Sequence, residues 1–447
     1  MVSLTFHGGV GEVGGNKVLV ESGDSRLFLD FGKSFWAEKR FFQEPFLSPR
    51  GCSELRDMGI LPRVEGIYRG DRPGRMDGVV LSHGHADHYD SIRFLRDDIP
   101  VVCSPTTKRL VISREHCGNH STPMAKLTKR NGEECFKEFL ETGEGRPLRV
   151  GEVEVLQMEV DHSLPGACGT VLDTGDSRIV YTGDIRFHGP RGRLSEDFLS
   201  RASEVDPDLL IIEGTNVMEG RMGDEGEVFR KTREVVSSTL GLVMVSYSQL
   251  DLDRMSTLCR VAEETGRRLL INPKQAYCLL LLERDDLLPH GVSMDSLGLF
   301  QREKRTRSRY EEVVSSEWMG EEMGAEEVNQ CQEEVILTFT LYDMNEALRI
   351  EPLPGSAYIL SSSDPFDEEM EIGHERLCNW LGHLGVPMYH IHASGHATPH
   401  QLKRMVREIS PEKVVPVHTP CPELYTRYLS DLDVQILRPL PGESVML

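Results

Sequence analysis

"LSHGHADHYD", residues 81–90, sets His83, His85, Asp87 and His88 within six positions, directly after a short apolar run rich in valine. Imidazole nitrogens and a carboxylate are the donors that zinc-like ions take, so His-x-His-x-Asp-His at a strand end predicts a metal site. A solitary histidine in such a place is ordinarily a satisfied polar group. Four donors at this spacing are much harder to explain that way.

The flanking sequence supplies strands on which such a site could be built. "VSLTF", "KVLVES" and "SRLFLDFG" are short β-rich runs separated by Gly-rich or Gly-Asp-Ser turns, the pattern of an antiparallel meander. Between 79 and 215 further apolar runs recur, among them "IPVVCS", "LRVGEVEVLQMEV", "ACGTVLDTG", "RIVYTGD" and "DLLIIEG", and several end in residues of catalytic type. Strand ends along one sheet edge are where α/β proteins assemble sites from sequence-distant residues. That rule singles out His162 in "VDHSLPG", Asp184 closing "RIVYTGD" and His418 closing "KVVPVH". Each alone reads as an ordinary polar residue; as a set, they complete the donors that a two-metal site needs.

The first connection, "HGGVGEVGGN", holds five glycines. A strand follows it where a dinucleotide fingerprint requires a helix, so the glycines predict a tight loop near an active site. After Gly214 the pattern changes to helix alternating with strand, as in "GEVFRKTREVVSSTL", "GLVMVSYS" and "DLDRMSTLCRVAEETG", which predicts a parallel, helix-covered sheet. Positions 301–334 are strongly charged and read as an exposed helix or loop; the alternative is a polyanion contact through Arg302, Lys304, Arg305, Arg307 and Arg309. "HCGNH", with His116, Cys117 and His120, lacks the spacing of a paired zinc finger and reads as a loop.

A chain of 447 residues suffices for two or three domains. Its formal charge of −22 excludes nonspecific adhesion to nucleic acid or an anionic membrane, but not an enzyme whose metals supply positive charge locally. The ten cysteines include no Cys-x-x-Cys pair and read mostly as buried small apolar residues in a reducing compartment. No stretch approaches a membrane span, and the N-terminus has no basic region followed by an apolar run, so a cytoplasmic protein is expected.

"HGHADH", His162, and Asp184 in "TGD" resemble the metal motifs of the metallo-β-lactamase fold, with Asp30 in "LFLDFG" matching its first motif. Glu213 in "LIIEGTN", His396 in "HASGHA" and His418 in "VPVH" resemble the three added motifs of the β-CASP nucleases, the branch of RNase J and of mRNA 3′-end processing. "GGVGEVGGN" is similar to the start of RNase J proteins. The resemblance implies an α/β fold: a metallo-β-lactamase αββα sandwich formed by residues 1–214 and 391–447, with a Rossmann-like β-CASP domain inserted at 215–390.

It also implies a zinc-dependent ribonuclease that hydrolyses RNA phosphodiesters by a two-metal-activated water, as a 5′-to-3′ exonuclease with endonuclease activity as a further mode. Two Zn²⁺ per chain are implied, with Mn²⁺ as the alternative ion. His83, His85 and His162 would hold one, Asp87, His88 and His418 the other, and Asp184 would bridge them. The catalytic set is Asp87, Asp184, Glu213 and His396; Asp30 and Glu213 would act from behind, Asp30 by fixing an imidazole and Glu213 by orienting His396. His392 and Ser394 would contact substrate phosphate, or Ser394 and Gly395 would form only a turn that presents His396. The expected partners are single-stranded RNA, a second copy of the chain and subunits of an RNA-processing complex, with no membrane. His418, where the DNA-repair branch usually has valine, favours RNA. Three other readings stay open: an endonuclease of the 3′-end-processing type, a small-molecule metallohydrolase, and a non-catalytic subunit of an RNA-processing assembly.

Overall fold

In the first strand, Val2–Gly8, Val2, Leu4 and Phe6 are buried while Ser3, Thr5 and His7 are half-buried, the period-2 alternation of a strand with one face on a core. It pairs antiparallel with Lys17–Ser22, which pairs antiparallel with Ser25–Leu29, so the expected meander is present. The computed structural model describes residues 1–43, 46–128, 132–143, 145–218, 223–365 and 368–447.

Parallel strands Gly78–Val80, Val101–Cys103 and Phe139–Glu141 extend the meander, and Glu443–Met446 closes its other edge, giving a seven-stranded sheet. A second seven-stranded sheet runs in the order Gln435–Ile436, Lys413–Val417, Leu209–Glu213, Arg178–Tyr181, Cys168–Asp173, Val153–Glu159, Leu148–Val150. Leu209–Glu213 has parallel neighbours on both sides and is buried throughout, which explains its unbroken apolar run. The inner faces of the two sheets meet through Leu4, Phe6, Val20, Leu29, Val155, Leu172, Ile211 and Val415. Helices cover the outer faces: Val111 of Pro105–Cys117 packs on the first, and Phe198, Leu402 and Tyr425, from Gly192–Val205, Pro399–Ile409 and Glu423–Tyr428, pack on the second. The result is the αββα sandwich.

This unit comprises residues 1–128, 132–221 and 395–447; residues 222–394 form a second unit. The expected boundaries lay after 214 and 390. The second unit has a wholly parallel seven-stranded sheet, in the order Glu322–Met323, Leu297–Phe300, Arg268–Ile271, Val335–Thr338, Val243–Ser246, Ala357–Leu360, Met388–His390. Its helices start and stop on local signals. Asp251 caps Leu252–Thr265, which ends at Gly266 with φ 68°; Asn272 and Gln275 form a capping box for Pro273–Arg284.

Three expectations need correction. His116 and Cys117 are the last two residues of the helix Pro105–Cys117, not a loop. The helix was masked because Thr106, Thr107 and Ser113 lie on its buried side, so polarity does not separate its faces. Only Cys103, Cys168 and Cys278 are buried; Cys135 and Cys378 are exposed. Asp184 lies beyond its strand, which ends at Tyr181.

Candidate metal centre

Asp30 follows Ser25–Leu29, the His83–His88 cluster follows Gly78–Val80, His162 follows Val153–Glu159, Asp184 follows Arg178–Tyr181, and His418 follows Lys413–Val417. Glu213 is the last residue of its strand. Asp30 and His418 both adopt φ 54°, a left-handed conformation that costs a non-glycine residue roughly 1–2 kcal/mol. The surrounding backbone holds both: Asp30 N–H donates to Val80 O at 2.9 Å, and His418 N–H donates to Gly9 O at 2.6 Å.

These turns bring seven donors together in two groups. His83 Nε2 lies 3.0 Å from His85 Nδ1, which lies 3.1 Å from His162 Nε2; Asp184 Oδ2 is 3.5 Å from His83 and 3.9 Å from His162. In the other group, Asp87 Oδ2 lies 3.1 Å from His418 Nε2 and 3.8 Å from His88 Nε2. Asp184 Oδ2 is 3.3 Å from His88 and 3.7 Å from His418, so a single carboxylate oxygen faces both groups. Ligands held ~2.0–2.1 Å from a tetrahedral ion lie roughly 3.3 Å from one another, which matches these separations.

The outer atoms of the imidazoles are already engaged. His88 Nδ1 donates to Asp30 Oδ2 at 2.7 Å, and His162 Nδ1 donates to Gly395 O at 2.5 Å. His83 Nδ1 lies 3.0 Å from Ser82 Oγ, and His418 Nδ1 2.7 Å from Thr215 Oγ1. Each of these four rings therefore turns its Nε2 inward, the arrangement that fixes the tautomer of a metal ligand, while His85 turns Nδ1 towards His83 and His162. His88 Nε2 and Asp184 Oδ1 are buried and make no hydrogen bond. Orphaned buried atoms of this kind are costly unless an unseen partner satisfies them, so the residues fit a metal.

The electrostatics agree. Burial, followed by the neighbouring His88, holds His83 well below its ordinary pKa. Burial would depress His88 too, but the carboxylates of Asp184, Asp30 and Asp87 raise it well above 6.5. Burial opposes ionisation of Asp184, yet His418, His88 and His396 hold it far down. The carboxylates thus stay charged and draw a proton onto a buried ring, a demand for positive charge that a dication meets.

His396 sits beside this cluster, with Nδ1 3.6 Å from Glu213 Oε2 and 3.8 Å from Asp184 Oδ2. Burial lowers its pKa, but Asp184 and Glu213 outweigh it and raise the value to about 9. Its side chain is 18% exposed, against 2% for Asp184, so it can reach an incoming group. Glu213 uses both oxygens on backbone, accepting from Thr215 N–H at 2.9 Å and Ala397 N–H at 2.8 Å. It thereby anchors the segment carrying His396.

Several participants had no signal in the sequence. Ser82 donates to Asp30 through N–H and Oγ–H, each at 2.7 Å. Tyr181 OH donates to Asp30 Oδ2 at 2.6 Å and accepts from Asn16 Nδ2 at 3.0 Å. Thr215 Oγ1 touches both His418 and His396 Nδ1, at 2.7 and 3.2 Å. Only strand register brings these side chains together.

The Gly-rich loop lies against the donors, as expected. A Cβ on Gly14, which has φ +77°, would stand 2.5 Å from Asp87 Oδ2, and one on Gly32 would stand 1.6 Å from Asp87 O. Gly14→Ala is therefore expected to lower the thermal midpoint and to weaken metal binding by displacing Asp87; equilibrium dialysis against zinc together with calorimetry measures both.

Behind His162, the fully buried Arg186 pairs with the equally buried Asp161 at 3.1 Å and donates to His162 O at 3.3 Å. Arg191 Nη2 donates to the same carbonyl at 2.9 Å. Arg186→Met leaves the Asp161 carboxylate without this guanidinium, an expected loss of ~3–5 kcal/mol in urea unfolding.

His392 and Ser394 belong to the second unit. Burial first, then Arg254, lowers His392 to about 4, and its Nδ1 has no hydrogen-bond partner. In the basic stretch, Arg302 pairs with Asp343 at 3.1 Å, Lys304 with Glu311, and Arg307 Nη1 donates to Ser315 Oγ at 2.6 Å. These contacts favour the structural reading of that stretch. Among the described residues the candidate metal groups comprise His83, His85, Asp87, His88, His162, Asp184, His396 and His418; "HCGNH" contributes none. No described helix is long and apolar enough to cross a membrane.

Comparison with known proteins agrees with this geometry. Residues 57–247 match the beta-lactamase superfamily domain, and residues 387–439 match the Zn-dependent metallo-hydrolase RNA specificity domain. Ribonuclease J of Mycobacterium tuberculosis is 28% identical over 429 residues, covering 93% of this chain and 68% of that protein. Ribonuclease J of Thermus thermophilus is 25% identical over 427 residues, covering 92% and 67%. In fold, the chain is similar to a protein of unknown function from Enterococcus faecalis, with TM-score 0.77, 21% identity and full coverage of both chains.

Proposed function

Because the chain belongs to the ribonuclease J family of β-CASP metallo-hydrolases, we propose that this metal-dependent ribonuclease degrades single-stranded RNA from the 5′ end. The observation that carries the reading is the convergence of five imidazoles and two carboxylates on a buried space where His88 Nε2 and Asp184 Oδ1 lack partners. Imidazole-rich donor sets suit zinc, with manganese the alternative. His83, His85 and His162 would hold one ion, Asp87, His88 and His418 a second, with Asp184 shared. When bound, such ions ionise water near neutral pH and offset phosphate charge.

The chain's own residues do the rest. Asp30 holds the His88 ring with Nε2 turned inward. Glu213 fixes the backbone on either side of the reacting region, and His396 donates a proton to the leaving 3′-oxygen, so that cleavage yields a 5′-phosphate and a 3′-hydroxyl. His392 and Ser394 grip a phosphate of the substrate. On this reading the enzyme acts in the cytoplasm, as a homodimer and beside other RNA-processing subunits.

The test uses metal-replete protein with two RNAs of one sequence, 5′-monophosphorylated and 5′-triphosphorylated, beside matching single-stranded DNA. Mononucleotide release confined to the monophosphorylated RNA is expected. Discrete internal fragments from both RNAs would transfer the protein to the endonuclease mode.

A further inference from the structure

Among the described residues six Phe, Tyr and Trp side chains are exposed, and four of them, Phe35, Trp36, Phe41 and Phe46, fall within twelve consecutive positions. Trp36 is 61% exposed and Phe46 85%. Cations lie over these rings: the Arg40 guanidinium is 5.2 Å from the Trp36 centroid and 5.8 Å from that of Phe41, and Lys33 Nζ is 5.5 Å from that of Phe35. Residues 33–41 carry three basic groups and one acidic group in a chain of net charge −22.

The segment grows directly out of the metal centre. Lys33 N–H donates to Ala86 O at 2.9 Å, between the donors His85 and Asp87. Gly32 touches the Asp87 backbone. Ser34 donates to Glu12 of the Gly-rich loop at 2.6 Å and caps the short helix Phe35–Lys39, on which Trp36 is the second residue. An exposed aromatic group interleaved with cations therefore begins within a few residues of the donors.

We infer that this segment, centred on Trp36, Arg40 and Phe41, is a stacking platform for the bases of single-stranded RNA next to the reacting phosphate. Every base presents a π-face, so aromatic stacking binds single strands with little sequence preference. The Arg40 guanidinium over the Trp36 and Phe41 rings adds attraction for the backbone. On an acidic surface that repels a polyanion, contacts to the bases hold the strand where bulk charge does not. Paired bases are hidden in a duplex, so the platform favours single strands. The inference rests on the ribonuclease reading.

Metal-loaded protein titrated with a phosphorothioate-linked RNA 12-mer tests it through tryptophan emission and, independently, anisotropy of a labelled strand. Emission is expected to be quenched with the same Kd as the anisotropy, and the quench to vanish in Trp36→Leu. Trp36→Leu and Arg40→Ala should each weaken binding about tenfold, while Trp36→Tyr, which keeps a π-face, should stay within about threefold. If RNA is cut and bound but Trp36→Leu binds like the parent, the platform is overturned and the ribonuclease reading stands. If Trp36→Leu converts an oligomer into a monomer without changing RNA affinity, the patch joins copies of the chain and the platform is again overturned. Protein that neither binds nor cuts RNA overturns both.

Discussion

Asp184→Ala is expected to leave a folded protein that cannot hold its full complement of metal and that turns RNA over at least about 10³-fold more slowly, a barrier increase of ~4 kcal/mol. Its Oδ2 lies within 3.9 Å of His83, His88, His162 and His418, so its loss removes the one oxygen common to both donor groups. The carboxylate also leads the groups that raise the pKa of His88 and His396 against their burial, and its removal lowers the positive charge the cluster can bind. Metal analysis by mass spectrometry, circular dichroism and a cleavage assay on the same sample separate this outcome from unfolding. Wild-type turnover in Asp184→Ala would contradict the assigned role.

His396→Ala is expected to behave differently: metal content stays at the parent value while kcat falls about 10²–10⁴-fold, the range for loss of a positioned proton donor. The sign of its pH dependence follows from the raised pKa. Asp184 and Glu213 lift His396 towards about 9, so the ring is protonated at neutral pH and activity through it is lost as pH rises through that pKa. Bound dications weaken the field of Asp184, so the alkaline limb is expected between the ordinary value of 6.5 and about 9. A kcat–pH profile should show this limb in the parent and not in His396→Ala. An identical limb in both would assign the proton to another group.

The donors were legible because the chemistry writes them locally. Four lie within six residues, and the others sit just past apolar strands, so a rule about strand ends finds them without any knowledge of pairing. The antiparallel meander and the change to alternating helix and strand after Gly214 were legible for the same reason, since periodicity and turn residues are local. The supporting residues were not. Tyr181 reaches Asp30 across 151 positions, and Thr215 reaches His418 across 203, contacts that exist only once sheet register is set. The helix Pro105–Cys117 escaped because its buried side is partly polar: Ser104 and Thr107 both donate to Gly166 O, at 2.7 and 2.8 Å. Buried hydroxyls satisfied by a distant carbonyl look like surface positions in a sequence.

Metal content and cleavage measured together test the central claim most directly. Chelator-stripped protein is reloaded with zinc, and in parallel with manganese, in steps from zero to two ions per chain, and cleavage of a 5′-monophosphorylated RNA is followed at each step. Activity should be absent from stripped protein and should rise with loading until two ions are bound per chain. Full cleavage by protein free of metal would contradict the account.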